Sequence, residues 1–194
     1  RETQQVLRPD LRVLVMSATL DTGPLASMLG DAPVVSSEGR AFPVEVYYRP
    51  PRTLAGRPPR LLDHVVTVIR EALAEQPGSI LVFLPGAGEI RKVEQLLRPH
   101  LPADTRLAPL YGNLKGDAQD QAIEPAPEGQ RKVVLATAIA ETSLTIEGVR
   151  VVVDAGQARR AVFDPNSGMT RLVTGRVSRA AAEQRRGRAG RIEP

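Results

Sequence analysis

Residues Ser79–Ile90 read SILVFLPGAGEI, and this stretch indicates the fold class. It opens with an almost continuous apolar run, which is typical of a strand that is covered on both faces. A small-residue turn, Pro85–Gly88, follows, and apolar residues then recur at helical spacing from Ile90 to Leu97. A buried strand that leads through a short turn into a helix is the repeating unit of parallel α/β sheets, so the stretch predicts such a sheet.

The same alternation of strand and helix continues along the chain. Helical spacing of apolar residues predicts a helix from Leu61 to Leu73, which stops before Pro77-Gly78. A polar helix is predicted to end at Ile123. Strands joined through helices at this spacing form right-handed crossovers, so we expect a parallel sheet flanked by helices. The other predicted strands are Leu11–Thr19, Pro43–Tyr48, Arg106–Gly112, Lys132–Thr137 and Val149–Gly156.

A different pattern follows the last of these strands. Two alternating runs within Arg160–Thr174 flank the turn-forming residues Pro165–Gly168, which predicts a β-hairpin. Ser178 is placed to cap a short final helix, and Gly187 is placed to end it. The predicted fold class is therefore α/β, with a parallel sheet flanked by helices and a β-hairpin inserted before the C-terminal helix.

The composition of the 194-residue chain narrows the classes of function. Hydrophobic residues make up 42% of the chain and aromatic residues 3%, a balance that suits an aliphatic α/β core. Without cysteine there are no disulfides or thiolate metal sites, so a reducing cytoplasm is the expected location. Two histidines, His64 and His100, are too few for a metal site. No apolar run approaches the roughly 20 residues of a membrane span and no signal-peptide pattern opens the chain, so we expect no membrane attachment.

The basic charge of the chain has two interpretations. Lysine and arginine number 26 against 22 acidic residues, which gives a net charge of +4, and only Lys92, Lys115 and Lys132 are lysines. Guanidinium groups suit the phosphates of an anionic partner. A general compositional bias toward arginine would produce the same excess without a partner, so the positions of the arginines carry the argument.

Three segments fall beyond the carboxyl ends of predicted strands, where ligands collect in open parallel sheets. The turn Pro85–Gly88 exposes backbone N–H groups at a helix start. The hydroxyl-rich loop, Thr137–Gly148, follows a strand, and the arginine segment, Gln184–Arg191 (QRRGRAGR), follows the hairpin. Each alone is also explained as ordinary turn chemistry or a solvated basic tail. Together at one edge of a sheet they favour an anionic ligand.

The chain lacks parts that a complete nucleotide site requires. It has no G-x-x-x-x-G-K-[ST] phosphate loop, and Gly86–Arg91 (GAGEIR) lacks the third glycine of a dinucleotide-binding fingerprint. Neither histidine has surroundings that suggest a nucleophile–base pair. The chain by itself is therefore not expected to contain a complete catalytic site.

Four motifs follow one another along the chain: Met16–Asp21 (MSATLD), Val82–Ile90 (VFLPGAGEI), Val133–Gly156 (VVLATAIAETSLTIEGVRVVVDAG) and Gln184–Arg191 (QRRGRAGR). They occur in the order found in DEAH-box RNA helicases of superfamily 2, and the chain resembles this family over essentially its whole length. The runs GRAFPVEVYY (Gly39–Tyr48) and LYGNL (Leu110–Leu114) look most like its bacterial HrpB-type branch.

The resemblance also implies how the chain is divided. Residues 1–22 would be the tail of a first RecA-like domain, 23–40 a linker, and 41–194 the second RecA-like domain of a helicase. A domain rarely begins with an isolated buried strand, so the early apolar strand belongs to a different domain, which agrees with a boundary near residue 40. A single domain with an ordinary first strand is the alternative.

In the family, the last motif closes on ATP with Mg²⁺ that is held mainly by the first domain. The resemblance implies that Arg188 and Arg191 are arginine fingers toward the γ-phosphate and that Gln184 helps to order the phosphate and the attacking water. Their spacing of four and three residues points them one way along a helical path. Gly187, also assigned to the nucleotide site, and Gly190 are expected to let the backbone bend closely past the ligand.

The remaining motifs imply contacts with nucleotide and RNA. The hydroxyl-rich loop would both sense the nucleotide and touch the RNA backbone, and the Arg160–Thr174 hairpin would lie beside the nucleic-acid path. The Ser-Ala-Thr motif would couple hydrolysis to strand separation. The residues implied are Ser143 and Glu147 for the nucleotide, Gly86, Thr137 and Thr145 for the nucleic acid, and Ser17 and Thr19 for coupling.

The predicted function is the C-terminal RecA-like half of an ATP-dependent RNA helicase. RNA would be gripped through phosphates and 2′-hydroxyls, so binding would be tolerant of sequence. The first RecA-like domain would act in cis, no metal ligand is assigned to this chain, and we expect a monomer. The alternative is a non-catalytic RecA-like module that binds nucleic acid or protein. A phosphate loop and a D-E-x-H motif upstream of Arg1 would distinguish the two.

Overall fold

A computed structural model describes residues 6, 8, 10–16, 22–36, 42–51, 60–114, 116–141 and 144–190. The chain forms two compact units, Arg1–Arg40 and Ala41–Pro194. The larger unit contains the sheet and the helices that cover it.

The smaller unit contains helix α1 (Thr22–Met28), and all but the first residue of this helix falls in the segment 23–40 that was expected to be a linker. The buried strand predicted at Leu11–Thr19 is wrong over its described part, because residues 11–16 form no strand. The side chains of Leu14 and Met16 are 80% and 82% exposed. A strand requires neighbours that accept its hydrogen bonds and cover its apolar face, and the described residues of this unit provide neither.

The larger unit begins with an extended segment, residues 42–51. The strand predicted at Pro43–Tyr48 is also wrong, because the segment joins no sheet among the described residues and Tyr47 and Tyr48 are exposed. Pro43 removes one donor from any ladder. The segment is instead tied down at single points, such as the bond from the Phe42 N–H to the Gly190 carbonyl, at 3.1 Å.

Within the described residues, four strands form one sheet: β1 (Ser79–Phe83), β2 (Thr105–Leu110), β3 (Arg131–Ala136) and β4 (Val149–Asp154). All neighbouring strands are parallel, in the order β2-β3-β1-β4, so the predicted parallel sheet is confirmed. The central strand β1 is buried along its whole length, which accounts for its almost continuous apolar sequence.

Helices cover the sheet at the positions that apolar spacing predicts. None of the described helices is long and apolar enough to span a membrane. Short 3₁₀ helices occur at Arg98–His100 and Ala138–Ala140. The α-helices of the larger unit are α2 (Leu61–Glu75), α3 (Ala87–Leu97), α4 (Gly116–Ile123) and α5 (Arg179–Arg186).

Alternate residues of β1 face two apolar clusters. Ile80 and Val82 pack with α2 and α3 on one face of the sheet. Leu81 and Phe83 pack on the other face with Ala122 of α4 and with the hydroxyl-rich loop. Each fully buried aliphatic side chain contributes about 1.5–3 kcal/mol of transfer free energy, so both faces hold β1 in place.

Two basic residues at the amino end of β3 close the ends of two helices. Arg131 donates to the carbonyl oxygens of Leu73, Gln76 and Gly78 at 2.9, 2.7 and 2.7 Å, just beyond and within the last turn of α2. The neighbouring Lys132 donates to the carbonyls that end α4. A cation at this end of a helix satisfies orphan carbonyls and complements the helix dipole.

The predicted hairpin is confirmed as strands β5 (Gln157–Asp164) and β6 (Met169–Arg176), paired antiparallel. Its turn is held by Asp164, whose Oδ1 accepts from the Asn166 N–H at 3.1 Å. Gly168 adopts a φ of 66°, a left-handed conformation that favours glycine. The hairpin thus follows β4 directly and leads into α5.

Candidate functional site

The arginine segment is positioned by α5. Ser178 caps this helix as predicted, its Oγ accepting from the Ala181 N–H at 3.2 Å. The helix ends at Arg186, and Gly187 follows it in a right-handed conformation with a φ of −60°. The first arginines of the segment are therefore helical, whereas Arg188 lies in the turn after the helix.

Arg185 is the most deeply buried charged side chain among the described residues, with 1% exposure. Its guanidinium lies 2.7 Å from Glu141 Oε1 and 2.7 Å from Asp154 Oδ1. The same group packs over the ring of Phe83, 4.9 Å from the ring centroid. Because Phe83 and Asp154 end β1 and β4, Arg185 joins α5 to the carboxyl end of the sheet.

Arg188 is buried as well, with 5% exposure. Its Nε donates to the carbonyl oxygen of Glu141 at 3.0 Å, and its Nη1 donates to the carbonyl oxygen of Leu144. Gln184 is half-buried on α5. The structure thus brings Arg188 against the hydroxyl-rich loop rather than into open solvent, and Arg191 lies outside the described residues.

The hydroxyl-rich loop crosses the sheet from one end to the other. Thr137 leaves the carboxyl end of β3, where its N–H donates to the Leu110 carbonyl at 3.2 Å. At the other end of the loop, the Gly148 carbonyl accepts from the Ser79 N–H at 2.9 Å, at the start of β1. Thr137 is half-buried and Thr145 is exposed. Ser143 lies outside the described residues, as do Ser17 and Thr19.

Glu147 lies near the amino end of the sheet, beside Lys132 and α4. Lys132 is 3% exposed, and its ammonium donates to the carbonyls of Ala122 at 2.8 Å, Ile123 at 3.3 Å and Glu124. Burial lowers the pKa of Lys132 to about 8, and the negative charges of Glu147 and Glu124 oppose part of this shift. The structure therefore separates Glu147 from the cluster around Arg185.

Gly86, the predicted nucleic-acid contact after β1, is buried under an arginine of the hairpin. A Cβ added at Gly86 would come within 2.5 Å of Arg159 Nη1 and 2.9 Å of Glu89 Oε2. Arg159 is held there by an ion pair with Glu89 at 3.0 Å. The absence of a side chain at Gly86 makes room for this pair. Arg159 was not among the residues to which sequence reasoning assigned a role.

The glycines of the arginine segment have different surroundings. A Cβ added at Gly187 would meet only ordinary contacts, the nearest being the Glu183 carbonyl oxygen at 3.5 Å. A Cβ at Gly190 would lie 2.6 Å from the Phe42 carbonyl oxygen and 2.9 Å from Val44 Cγ2. The approach of Gly190 to a ligand stays a prediction, and the structure shows that the lack of a side chain at Gly190 makes room for residues 42–44 of the same chain.

Sequence reasoning missed Arg185, Glu141 and Asp154 as members of the site. The available signal was an acidic residue after β3 and another at the end of β4, which places both carboxylates at the carboxyl edge of a parallel sheet. No group of three or more His, Asp or Glu side chains within the described ranges is arranged to hold a metal ion. The cluster instead holds the guanidinium groups of Arg185 and Arg188, a kind of donor that suits phosphate oxygens, on carboxylates and loop carbonyls.

This fold and its arginine segment define a helicase domain. Residues 61–193 match the model of the helicase conserved C-terminal domain, and the chain belongs to that family. It is similar to the ATP-dependent RNA helicase HrpB of Escherichia coli strain K12, with 55% identity over 193 residues that cover 100% of the chain and 23% of HrpB. It is also 42% identical over 193 residues to the pre-mRNA-splicing factor ATP-dependent RNA helicase prp22 of Schizosaccharomyces pombe, covering 96% of the chain and 16% of that protein.

Solved structures agree with this assignment. The crystal structure of the Escherichia coli DEAH/RHA helicase HrpB matches with a TM-score of 0.90 at 55% identity, covering 100% of the chain and 24% of that chain. A crystal structure of the E. coli DExH-box NTPase HrpB matches with a TM-score of 0.87, also at 55% identity, covering 100% and 23%. The predicted RecA-like fold and the resemblance to DEAH-box helicases of the HrpB type are confirmed. The chain spans less than a quarter of the length of these relatives.

Proposed function

We propose that this chain is the C-terminal RecA-like part of an ATP-dependent RNA helicase and that its arginine segment completes the site of ATP hydrolysis. ATP and Mg²⁺ would be held mainly by a first RecA-like domain in cis. Arg188 and Arg191 would contact the γ-phosphate, and Gln184 would orient the attacking water. Guanidinium groups stabilise the negative charge that spreads over the transferring phosphoryl group.

One observation carries this proposal: the arginine segment is packed against the hydroxyl-rich loop beside the carboxyl end of the sheet. Arg185 lies between Glu141 of that loop and Asp154 at the end of β4. Ligands of open parallel sheets collect at this edge. The family match and two relatives named ATP-dependent RNA helicases support ATP as the ligand that we propose for this edge.

RNA binding is the second part of the proposal. Thr137 and Thr145 of the hydroxyl-rich loop would contact the RNA backbone. Gly86 after β1 would do so once the ion pair of Arg159 with Glu89, which covers it, has moved aside. Contacts with phosphates and 2′-hydroxyls carry little sequence information, so the bound RNA would vary in sequence. The working form would be a monomer, and hydrolysis would release the clamp that ATP forms between the two domains.

A non-catalytic RecA-like module is the second candidate, and the burial of Arg188 favours it. Arg188 is 5% exposed and donates to the carbonyls of Glu141 and Leu144. To contact a phosphate, this side chain would have to exchange those acceptors for phosphate oxygens. A residue that never makes the exchange would be structural, and RNA affinity would then be indifferent to ATP.

The test uses the full-length protein, with ATP turnover measured with and without RNA. Arg188→Ala is expected to lower turnover by about 10³- to 10⁵-fold, the usual cost of losing an arginine finger. Arg186→Ala is the matched control, because Arg186 is exposed and forms a surface ion pair with Glu183 at 2.5 Å. The control should retain nearly full turnover. Thermal unfolding of both variants checks that the fold is intact.

Two results would overturn the proposal in different ways. Near-normal ATP turnover by a folded Arg188→Ala variant would reject the arginine-finger role of Arg188 but not the assignment of the protein as a helicase. Absence of ATP hydrolysis in the full-length wild type, with RNA affinity unchanged by ATP, supports the non-catalytic module. The isolated 194-residue chain should hydrolyse no ATP, and robust hydrolysis by it would mean that the active site is misplaced.

A further inference from the structure

Glu141, in the hydroxyl-rich loop, is held by the arginine segment through both its side chain and its main chain. Its Oε1 accepts from Arg185 Nε at 2.8 Å, and its carbonyl oxygen accepts from Arg188 Nε at 3.0 Å. The side chain of Glu141 is 16% exposed, so most of this contact is shielded from water. A displacement of Glu141 would therefore move acceptors away from two arginines at once.

Arg185 extends the connection to the sheet. Its Nη1 donates to Asp154 Oδ1 at 2.7 Å and to the Gln157 carbonyl at 3.3 Å, and its plane packs over Phe83. A guanidinium is planar and donates in fixed directions, so these partners specify the orientation of the side chain. Helix α5, the loop and the ends of β1 and β4 are thereby held in one arrangement.

Stability alone is a weak explanation for such a cluster. Removing the guanidinium of Arg185 and most of the surface of its carboxylate partners from water is costly, and apolar groups of similar volume often stabilise a fold as well as a buried ion pair does. Apolar contacts, unlike the hydrogen bonds of a guanidinium, do not fix the relative orientation of the groups that they join. The geometry of Arg185 with Glu141 fixes where the loop stands relative to α5, and this points to a role in positioning.

The two elements joined by this pair carry different parts of the proposed site. Thr137 precedes Glu141 by four residues on the loop assigned to RNA, and Arg188 follows Arg185 by three residues on the segment assigned to the γ-phosphate. A short backbone turn joins Thr137 to Glu141, and Glu141 is bonded to both Arg185 and Arg188, so the proposed RNA contact and the proposed phosphate contact are linked through Glu141. Such a contiguous network is a physical route for coupling.

We propose that Arg185 and Glu141 are positioning residues that couple RNA binding by the hydroxyl-rich loop to the placement of the arginine segment at ATP. This inference rests on the proposed function. RNA that moves or orders the loop would shift Glu141, and the ion pair would carry that shift to α5. Neither residue needs to touch ATP or RNA.

The experiment compares basal and RNA-stimulated ATP turnover of the full-length protein. Glu141→Gln keeps an acceptor and the shape of the side chain but removes the charge that Arg185 pairs with. We expect the ratio of RNA-stimulated to basal turnover to fall about tenfold, the size of a typical coupling loss. Glu183→Gln is the matched control, because it neutralises the exposed partner of Arg186. Its stimulation should equal that of the wild type.

A second variant separates coupling from stability. Arg185→Met combined with Glu141→Leu and Asp154→Asn removes all three charges, and such replacements often preserve stability. Loss of stimulation in this variant with an unchanged melting temperature supports positioning by the ion pair. Recovery of stimulation in it, or wild-type stimulation in Glu141→Gln, overturns the inference and leaves the cluster a structural one. Failure of the proposed function itself is seen separately, as a wild-type protein that RNA does not stimulate.

Discussion

Phe42 donates its backbone N–H to the carbonyl oxygen of Gly190 across 3.1 Å, which ties the first described residues of the larger unit to the arginine segment. The carbonyl oxygen of Phe42 is also close to Gly190, since it lies 2.6 Å from the position that a Cβ on Gly190 would take. Residues 42–44 therefore act as a strap over the turn that follows α5.

Gly190→Ala should destabilise the chain by about 1–3 kcal/mol, because the added methyl group overlaps the strap and the backbone must shift. Urea unfolding of the chain measures the effect. Gly88→Ala is the matched control, since nothing lies within 4 Å of a Cβ added there and Gly88 is helical in α3. The control should be as stable as the wild type or up to about 1 kcal/mol more stable. Equal stabilities for Gly190→Ala and the wild type would show that residues 42–44 leave room for a side chain at position 190.

Arg131→Met should destabilise the chain by roughly 2–4 kcal/mol. The substitution keeps an apolar stem but removes the donors that serve the carbonyls of Leu73, Gln76 and Gly78. Arg91→Met is the control, because Arg91 is exposed on α3, where a substitution is worth no more than about 0.5 kcal/mol. Chemical denaturation reports both. A loss for Arg131→Met as small as that of the control would mean that water replaces the guanidinium at these carbonyls.

The stability contributed by Lys132 should rise with pH above about 8. Burial lowers the pKa of Lys132 to about 8 in the folded chain, whereas an unfolded lysine has a pKa of about 10.4. Between these values the unfolded state binds the proton and the folded state does not, so unfolding takes up a proton. The free energy of unfolding then increases with pH, by up to about 1.4 kcal/mol per pH unit.

Comparison with Lys132→Met isolates this effect from other titrating groups. The difference in unfolding free energy between wild type and Lys132→Met should grow in favour of the wild type from pH 8 to pH 10. Urea titrations at pH 7.5, 8.5 and 9.5 measure it. A difference that shrinks with rising pH would show that the carbonyls of Ala122 and Ile123, with the nearby acids, stabilise the ammonium more than burial penalises it.

RNA binding by the full-length protein should be sensitive to salt and tolerant of sequence. For single-stranded RNA, the logarithm of the association constant should fall linearly with the logarithm of salt concentration, with a slope of about −0.7 for each phosphate contacted. Single-stranded RNAs of unrelated sequence should bind within about threefold of one another. Fluorescence anisotropy at several salt concentrations provides both numbers. Strong preference for one sequence would point to base contacts that the hydroxyl-rich loop does not explain.

Most secondary structure was predictable because its causes are local. The apolar run in β1, the helical spacing in α2 and the Ser178 cap of α5 each depend on residues a few positions apart. The hairpin turn was equally readable, since Pro165–Gly168 is rich in turn-forming residues. The strands predicted at Leu11–Thr19 and Pro43–Tyr48 were wrong, because an apolar pattern produces a strand only where another strand is available to pair with it.

The candidate site was predictable as a set of motifs but not as an arrangement. Sequence order places Thr137 and Glu147 in the same loop, yet that loop crosses the sheet and separates them. Glu147 stands beside Lys132 near the amino end, and Thr137 leaves β3 at the carboxyl end. No periodicity in the loop signals this crossing, which follows from the need to connect two parallel strands.

The amino-acid sequence by itself determined the α/β class, the position of the hairpin and the helicase family, because periodicity, turn chemistry and motif order are properties of neighbouring residues. Only the tertiary structure decided which arginine of QRRGRAGR is buried between carboxylates and which one binds loop carbonyls. Arg185 and Arg188 are chemically identical, and their environments differ through Glu141 and Asp154, residues 44 and 31 positions from Arg185 in the chain. Burial and charge pairing at such separations depend on which strands are adjacent, and strand adjacency is set when the sheet assembles.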